Sequence, residues 1–384
     1  MADNSQIKLS SKHALALSKL LDKFNLELDV ITTTEGGATK PNTITMSSNE
    51  IEAMIHGNAP VVVKVDQSIL DSIPDIIVEY KESAKWYRQI NKAVLDVLSE
   101  SDGTLLLGMI AVFSAKTFFG SNVDYAIEAY VAVKDDIENN TKLLLEFFNF
   151  LDNENIIAPK DRKSIKKVLI AFKKQNKYTQ FNTLEFHKYF VDRGTLDSHL
   201  YATNRLCRYY IQNNGKISPK SLAKLIANSL ELTGDISKDP KNITSGYKIL
   251  NFTLNLLQPD MVIDVDGKAE WSPVTVDSWM IYFFYPDSYK LVNAEKQSFK
   301  GKIFSSYKKY TYLGKIVQEH AEKFGLKPYE LQSIIWISIM KKLKPNSTAN
   351  TFGNVLEIKK EKLKKKNRES SDVYKLVEKL RSAL

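Results

Sequence analysis

Two side chains stand where covalent chemistry would need them. In Ser245-Gly246-Tyr247-Lys248-Ile249-Leu250 a glycine able to make a tight turn precedes an apolar-periodic run. A helix therefore starts there, with Lys248 on its first turn. The N–H groups of such a start, around Ser245 and Gly246, suit a phosphate held without reading sequence. Asp277 comes 29 residues after Lys248. It follows the extended Pro273-Val274-Thr275-Val276 and precedes Trp279-Met280-Ile281, the place of a helix N-cap. A lysine amine becomes a nucleophile when burial or neighbouring positive charge lowers its pKa. A carboxylate can orient that nucleophile and stabilise positive charge developing on a sugar. The plainer roles are an exposed lysine and a cap worth about 1 kcal/mol. At a helix start the cap and the catalytic role do not exclude each other.

A second set of residues could shape a pocket. Trp86, Tyr87, the Phe118-Phe119 pair and Trp336 can stack on an extruded base, although aromatics at helical spacing more often build core. Gln332 lies on an otherwise apolar helix, where its amide must meet a buried backbone group or a base edge. Asn122 and Trp279 complete the pocket candidates. His13, His56, His187, His199 and His320 show no paired spacing, so no histidine metal site is expected. The lone Cys207 excludes an intrachain disulfide, a cysteine-ligated zinc and an iron–sulfur cluster. Neither a P-loop nor a dinucleotide fingerprint occurs, so nucleotide hydrolysis is unsupported and no cofactor is implied.

The elements that must position these groups are helices. Only 15 of 384 residues are Gly and 11 are Pro, which disfavours a many-stranded or Pro/Gly-rich disordered chain. Apolar periodicity predicts helices over 75–99, 104–118, 121–135, 139–152, 159–175, 182–193, 197–213, 219–232, 245–257, 277–285, 303–324 and 328–343. Ser218-Pro219 reads as a cap and first helical residue, and Gly325 and Pro328 as a helix stop and the next start. Residues 1–72 read as a small α+β region: a helix after Ser10 or Ser11, a capping box at Ser47–Glu50 and a strand over Val61–Val65. Residues 73–345 form the helical domain, and 346–384 a basic C-terminal tail or helix.

Charge is placed rather than spread. The chain carries 54 Lys and Arg against 45 Asp and Glu, net +9. Residues 160–177 hold eight basic residues against Asp161, and 357–368 hold seven against Glu357 and Glu361. Together these runs exceed the whole excess, so the remainder is slightly acidic. In the first run Lys163, Lys166, Lys167, Lys173 and Lys174 interleave with Ile165, Val168, Leu169 and Phe172 at helical spacing. That gives one buried and one positive face, suited to phosphate contact. The second reads as a solvated face or a mobile tail. The first residues lack a signal-peptide pattern, and no apolar run approaches the ~20 residues of a membrane span, so no membrane partner is expected.

These residues resemble a family. The order Gly246-x-Lys248, helix, then Val276-Asp277-Ser278 is similar to the core of the helix-hairpin-helix DNA glycosylase (HhH-GPD) superfamily. Leu107 to Val123 resembles its early helix and the loop running into an Asn-Val helix start. The resemblance implies a mostly α, multi-helical glycosylase-like bundle, with Lys248 as nucleophile and Asp277 as catalytic carboxylate. A closer resemblance is to uncharacterised bacteriophage proteins, through Trp86-Tyr87, Ile110, Ala111, Ser114, Asn122, Lys248, Phe252, Val274-Thr275-Val276-Asp277, Leu331, Gln332, Ile334 and Trp336. This pattern covers about 86–340. It implies a phage product in the host cytoplasm during infection, or in the virion, with duplex or modified DNA as partner. The chain departs from the superfamily in three places. Asn242-Ile243-Thr244-Ser245-Gly246 keeps one hairpin glycine, Trp279 stands where a histidine follows the aspartate, and 258–273 are inserted.

Three functions fit. The first is a DNA-directed glycosylase or lyase acting on a base or its glycosidic bond. The second is an enzyme of base hypermodification on the same fold. The third is a non-catalytic nucleic-acid-binding or virion-associated protein, which the reduced hairpin and missing histidine favour. The sequence leaves the oligomeric state open.

Overall fold

The computed structural model describes residues 6–10, 43–47, 65–114, 118–152, 178–193, 197–233, 247–265, 269–293, 295–296, 299–300, 307–345 and 351–384. The described chain is mostly helical, with two short antiparallel strand pairs. Strands β1 (Gln6–Ser10) and β2 (Thr43–Ser47) pair with Gln6 opposite Ser47 and Ser10 opposite Thr43. The helix expected after Ser11 and the strand expected at 61–65 lie outside the described residues, or almost so.

The helical body begins with α1 (Gln67–Asp71), capped by the Asp66 side chain, and α2 (Ile73–Tyr80). The single helix expected over 75–99 is interrupted. A 3₁₀ turn over Lys81–Lys85 separates α2 from α3 (Trp86–Val97). This break brings Trp86 and Tyr87 to the start of a helix, where both turn inward and are buried.

Helix α4 (Glu100–Val112) starts at Ser99, whose side chain accepts from the Asp102 N–H, earlier than the periodicity suggested. Every residue from Gly103 to Val112 is buried. A helix apolar on all sides belongs at the centre of a bundle, and α4 is surrounded accordingly. It packs on α3, on α5 (Phe119–Asp152), on α8 (Asp197–Gln212), on α9 (Pro219–Thr233) and on α10 (Tyr247–Leu257). Between α5 and α8 lie α6 (Tyr178–Phe181) and α7 (Glu185–Arg193). Close approach of α4 and α8 requires Gly108, because a Cβ there would lie 2.7 Å from Leu206 Cδ2.

The two helices expected over 121–135 and 139–152 are the two arms of α5, which meet at a break where Asn140 leaves the helical region (φ −139°, ψ 26°), slightly later in the chain than the periodicity placed it. The Thr141 hydroxyl bonds the Ile137 carbonyl at this point, and such back-bonding bends helices. Asp136, buried on α5, caps α7 from a distance, accepting from the Glu185 and Phe186 N–H groups at 3.0 and 2.6 Å.

After α10, the inserted segment carries a hairpin of β3 (Ile263–Val265) and β4 (Ala269–Trp271). Then follow α11 (Ser278–Phe284), a 3₁₀ turn over Pro286–Tyr289, and α12 (Tyr307–Lys323). Gly325, at φ +66°, ends α12 as expected, with the Leu326 N–H bonding the Ala321 carbonyl. Pro328 opens α13 (Pro328–Leu343), buried continuously from Pro328 to Met340. The basic C-terminal run lies on α14 (Phe352–Lys364), and α15 (Asp372–Ser382) follows it. Neither helix stands apart as a tail. Phe352, Val355, Leu356, Leu363, Val373, Leu376, Val377 and Leu380 belong to the same apolar core as α3, α4 and α13. Lys359, counted among the solvated charges, is 4% exposed and paired with Asp124 and Glu128 of α5.

No helix of the described residues is long and apolar enough to cross a membrane.

Candidate functional site

The starts of four helices converge on one cleft. The first turns of α3, α5 and α10 bring Trp86 with Tyr87, Phe119 with Asn122, and Lys248, with Phe252 one turn further along α10; the start of α11 brings its N-cap Asp277 and Trp279. The segment ending α4 contributes Ser114, and the middle of α13 contributes Gln332, Ser333 and Trp336. Residues 86, 114, 122, 248, 252, 277, 332 and 336, spread through most of the helical body in sequence, therefore line a single concavity.

Lys248 is held by its own first-turn position and by one hydrogen bond. Its Nζ donates to the Ser114 carbonyl oxygen at 2.6 Å. That oxygen lies just beyond the C-terminal end of α4, where the helix dipole is negative and favours a cation. Burial nonetheless pushes the Lys248 pKa down from its ordinary value, and the negative charge of Asp277 opposes the fall without cancelling it. A lysine placed this way is more often a free amine than a surface lysine is, with its remaining valences available to the cleft.

Asp277 is the N-cap that the sequence suggested, and more than a cap. Its Oδ1 accepts from the N–H groups of Trp279 and Met280 at 2.8 and 3.1 Å. Its Oδ2 accepts from the Trp336 indole Nε1–H at 3.1 Å. The carboxylate is thus fixed by the helix it starts and by a ring from α13. A base to the helix and an electrostatic partner to the cleft are compatible roles for one side chain.

The walls are aromatic. Trp86 sits at the centre, with ring centroids 4.6 Å from Phe119, 5.4 Å from Trp336 and 6.2 Å from Phe252, the last nearly parallel at 25°. Phe119 meets Trp336 edge-on at 6.1 Å and 85°. These rings are buried, as aromatics at helical spacing usually are, yet they also face the cleft.

Among the described residues, two buried polar atoms on this surface have no partner: Ser114 Oγ and Gln332 Oε1. Ser114 is 1% exposed and Gln332 3%. An unpartnered buried polar atom costs about 1–3 kcal/mol, so it marks a place where a ligand group or water completes the hydrogen bonding. Burial raises the pKa of Tyr87, whose hydroxyl lies near the side chains of Thr275, Asn255 and Gln332.

Of the residues expected to form a site, Lys248, Asp277, Asn122, Trp279, Gln332 and Trp336 come together. Ser245 and Gly246, and Lys163, Lys166, Lys167, Lys173 and Lys174, lie outside the described residues. The side-chain atoms of Ser114, Thr275 and Ser333 were not anticipated. Ser114 and Thr275 stood inside motifs, but hydroxyls in apolar runs give no sign of the direction they face. Among the described residues no group of three or more His, Cys, Asp and Glu could hold a metal ion. Cys207 is buried on α8 away from this surface lining, and burial raises its thiol pKa.

Comparison of the chain with protein-family models, with curated protein sequences and with solved structures finds no match, so the chemistry of the cleft is argued from its own residues.

Proposed function

We propose that the protein is a DNA-directed enzyme of the glycosylase-lyase type, whose cleft receives a single nucleotide residue. The observation that carries this reading is the pairing of a desolvated lysine amine with a fixed carboxylate in one aromatic-walled cleft. The two groups suit a substitution at a sugar carbon. The free amine of Lys248 forms a bond to C1′ while the glycosidic C–N bond breaks and its electron pair leaves with the base. The departing base takes up a proton, and opening of the sugar ring leaves an imine on Lys248. Asp277 stabilises the positive charge that builds on the sugar as the bond breaks. Trp86, Phe119 and Trp336 offer flat faces to a base taken out of its stack, and Gln332 Oε1 offers an acceptor to its edge.

The resemblance of Lys248 and Asp277 to the nucleophile and carboxylate of the helix-hairpin-helix superfamily supports the same assignment, as does the gathering of the phage-type pattern residues around one cleft. The test is incision of end-labelled oligonucleotides carrying an abasic site, uracil or an oxidised base. Wild-type protein is expected to nick at least one of them, and Lys248→Met and Asp277→Asn are expected to abolish nicking while remaining folded. Equal nicking by wild type and Lys248→Met, or no processing of any of the three, would overturn the proposal.

A further inference from the structure

A strip of alternating rings and ammonium groups leaves the rim of this cleft. It starts at Phe118, 60% exposed, whose ring is covered by the Lys344 ammonium at 4.1 Å. The same ammonium stands 5.5 Å from the ring of Trp279, which lines the cleft. Trp279 meets Tyr282 edge-on at 5.9 Å, and Tyr282 meets Tyr289 at 5.2 Å. Lys300 lies 4.9 Å over Tyr282, and Lys296 lies 5.0 Å over Tyr289. Trp279, Tyr282 and Tyr289 are all partly exposed.

Among the described residues these lysines rest on rings and not on carboxylates. A cation over a ring keeps its full charge toward solvent, because the quadrupole attracts it without neutralising it. The acids at the border are otherwise engaged: Asp287 binds Lys290 at 2.9 Å, and Glu295 accepts from the Val292 N–H at 3.3 Å. Alternating π-faces and uncompensated positive charge match a chain in which flat rings alternate with phosphates. A duplex cannot use such rings, since its base faces are already stacked on one another.

We propose that this strip binds an unpaired DNA strand flanking the nucleotide held in the cleft, making single-stranded DNA the preferred substrate form. The proposal rests on the reading of the cleft as DNA-directed. It gives the reduced hairpin a physical sense, because a protein that grips a single strand through rings and lysines has less need of a duplex-backbone clamp.

The experiment is fluorescence anisotropy of full-length protein with a labelled, undamaged single-stranded DNA of about 16 nucleotides. The same DNA annealed to its complement and anionic phospholipid vesicles serve as competitors. The single strand is expected to bind at least about tenfold more tightly than the duplex. Tyr282→Ala or Tyr289→Ala is expected to weaken it about tenfold. Because a tyrosine truncation can disturb folding, a Lys296→Gln, Lys300→Gln, Lys344→Gln triple variant is the second readout. Its log–log salt slope should fall by about 2, from about 0.7 per lost phosphate contact. Equal or tighter duplex binding, an unchanged salt slope, or stronger competition by vesicles than by single strand would overturn the proposal. Tight, lysine-dependent single-strand binding without any incision would sink the chemistry assigned to the cleft and leave the strip standing. Incision with no contribution from the strip would do the reverse.

Discussion

Removing the buried Lys359 ammonium should cost the protein more stability than removing any exposed lysine of its C-terminal third. Lys359 is buried on α14 and bonds both Asp124 and Glu128 of α5. Those two acids lie four residues apart, so they share one face of α5. Phe119 and Asn122, three apart, share the face that lines the cleft. The pair therefore clamps the first turns of α5 from behind while the front presents cleft residues. Lys359→Met keeps the volume and the apolar stem but leaves two carboxylates with side-chain exposures of only 20% and 8%. Breaking a buried ion pair by deleting one partner typically costs about 3–5 kcal/mol. For a body of this size that is a fall in Tm of about 4–7 °C. Thermal and urea unfolding followed by far-ultraviolet circular dichroism would measure it. Because the groups are buried, the loss should persist when ionic strength rises from about 0.1 to about 1 M. Neutralising the acids as well, with Asp124→Asn and Glu128→Gln added to Lys359→Met, should recover most of the loss. A single variant within about 1 kcal/mol of wild type, or a triple variant no better than the single, would refute the reasoning.

Lys248→Met should stabilise the protein at neutral pH by about 1 kcal/mol, the usual gain from relieving a strained functional group, and unfolding curves would show it. The sign follows from burial. A lysine whose folded pKa is depressed contributes full stability only above its unfolded value and loses it as pH falls through the folded value, so at neutral pH the charged form is a cost. Asp277→Asn retains an acceptor for the α11 N–H groups and should cost under about 1 kcal/mol, whereas Asp277→Ala should cost about 0.5–2 kcal/mol as a lost cap; thermal melts of the two variants separate cap from charge. Gly108→Ala places a Cβ against Leu206, itself fully buried, and should cost about 1–3 kcal/mol in urea unfolding. Burial alone would raise the pKa of Asp102, but the Tyr210 hydroxyl at 2.8 Å and Lys134 at 3.0 Å bring it below the ordinary value. Its contribution is present above pH 3.8 and lost as pH falls through the lower folded value, so Asp102→Asn should flatten the acid limb of a stability–pH curve.

Much of the helical body was legible because helices advertise themselves through periodicity and punctuation. Gly325 with Pro328, and Ser218 with Pro219, set boundaries that the structure keeps. Interruptions were harder to see. The 3₁₀ turn at Lys81–Lys85 lies within a run whose apolar spacing continues through it, and only the packing of Trp86 and Tyr87 against Phe252 and Trp336 explains the break. The β3–β4 hairpin had a sequence signal, an Asp-Gly pair at 266–267 of the kind hairpin loops favour, that its position in an insertion obscured. The C-terminal run shows the limit of charge counting. Val355, Leu356, Lys359 and Leu363 repeat at helical spacing among lysines, and one of those lysines found two carboxylates more than 230 residues away in sequence. In the cleft, Lys248 and Asp277 were visible as types at helix starts. Their shared environment was not, because desolvation and the Trp336–Asp277 bond arise only when distant helices meet.

The central claim is that Lys248 is an amine poised to attack a sugar carbon. Borohydride trapping with an oligonucleotide carrying an abasic site, followed by peptide mapping of the reduced adduct, tests it most directly. One covalent adduct is expected, on Lys248, forming faster as pH rises and levelling off below the ordinary lysine value of 10.5 because burial depresses the ammonium. A folded protein that yields no adduct on single- or double-stranded DNA, or an adduct mapped to another lysine and undiminished in Lys248→Met, would contradict it.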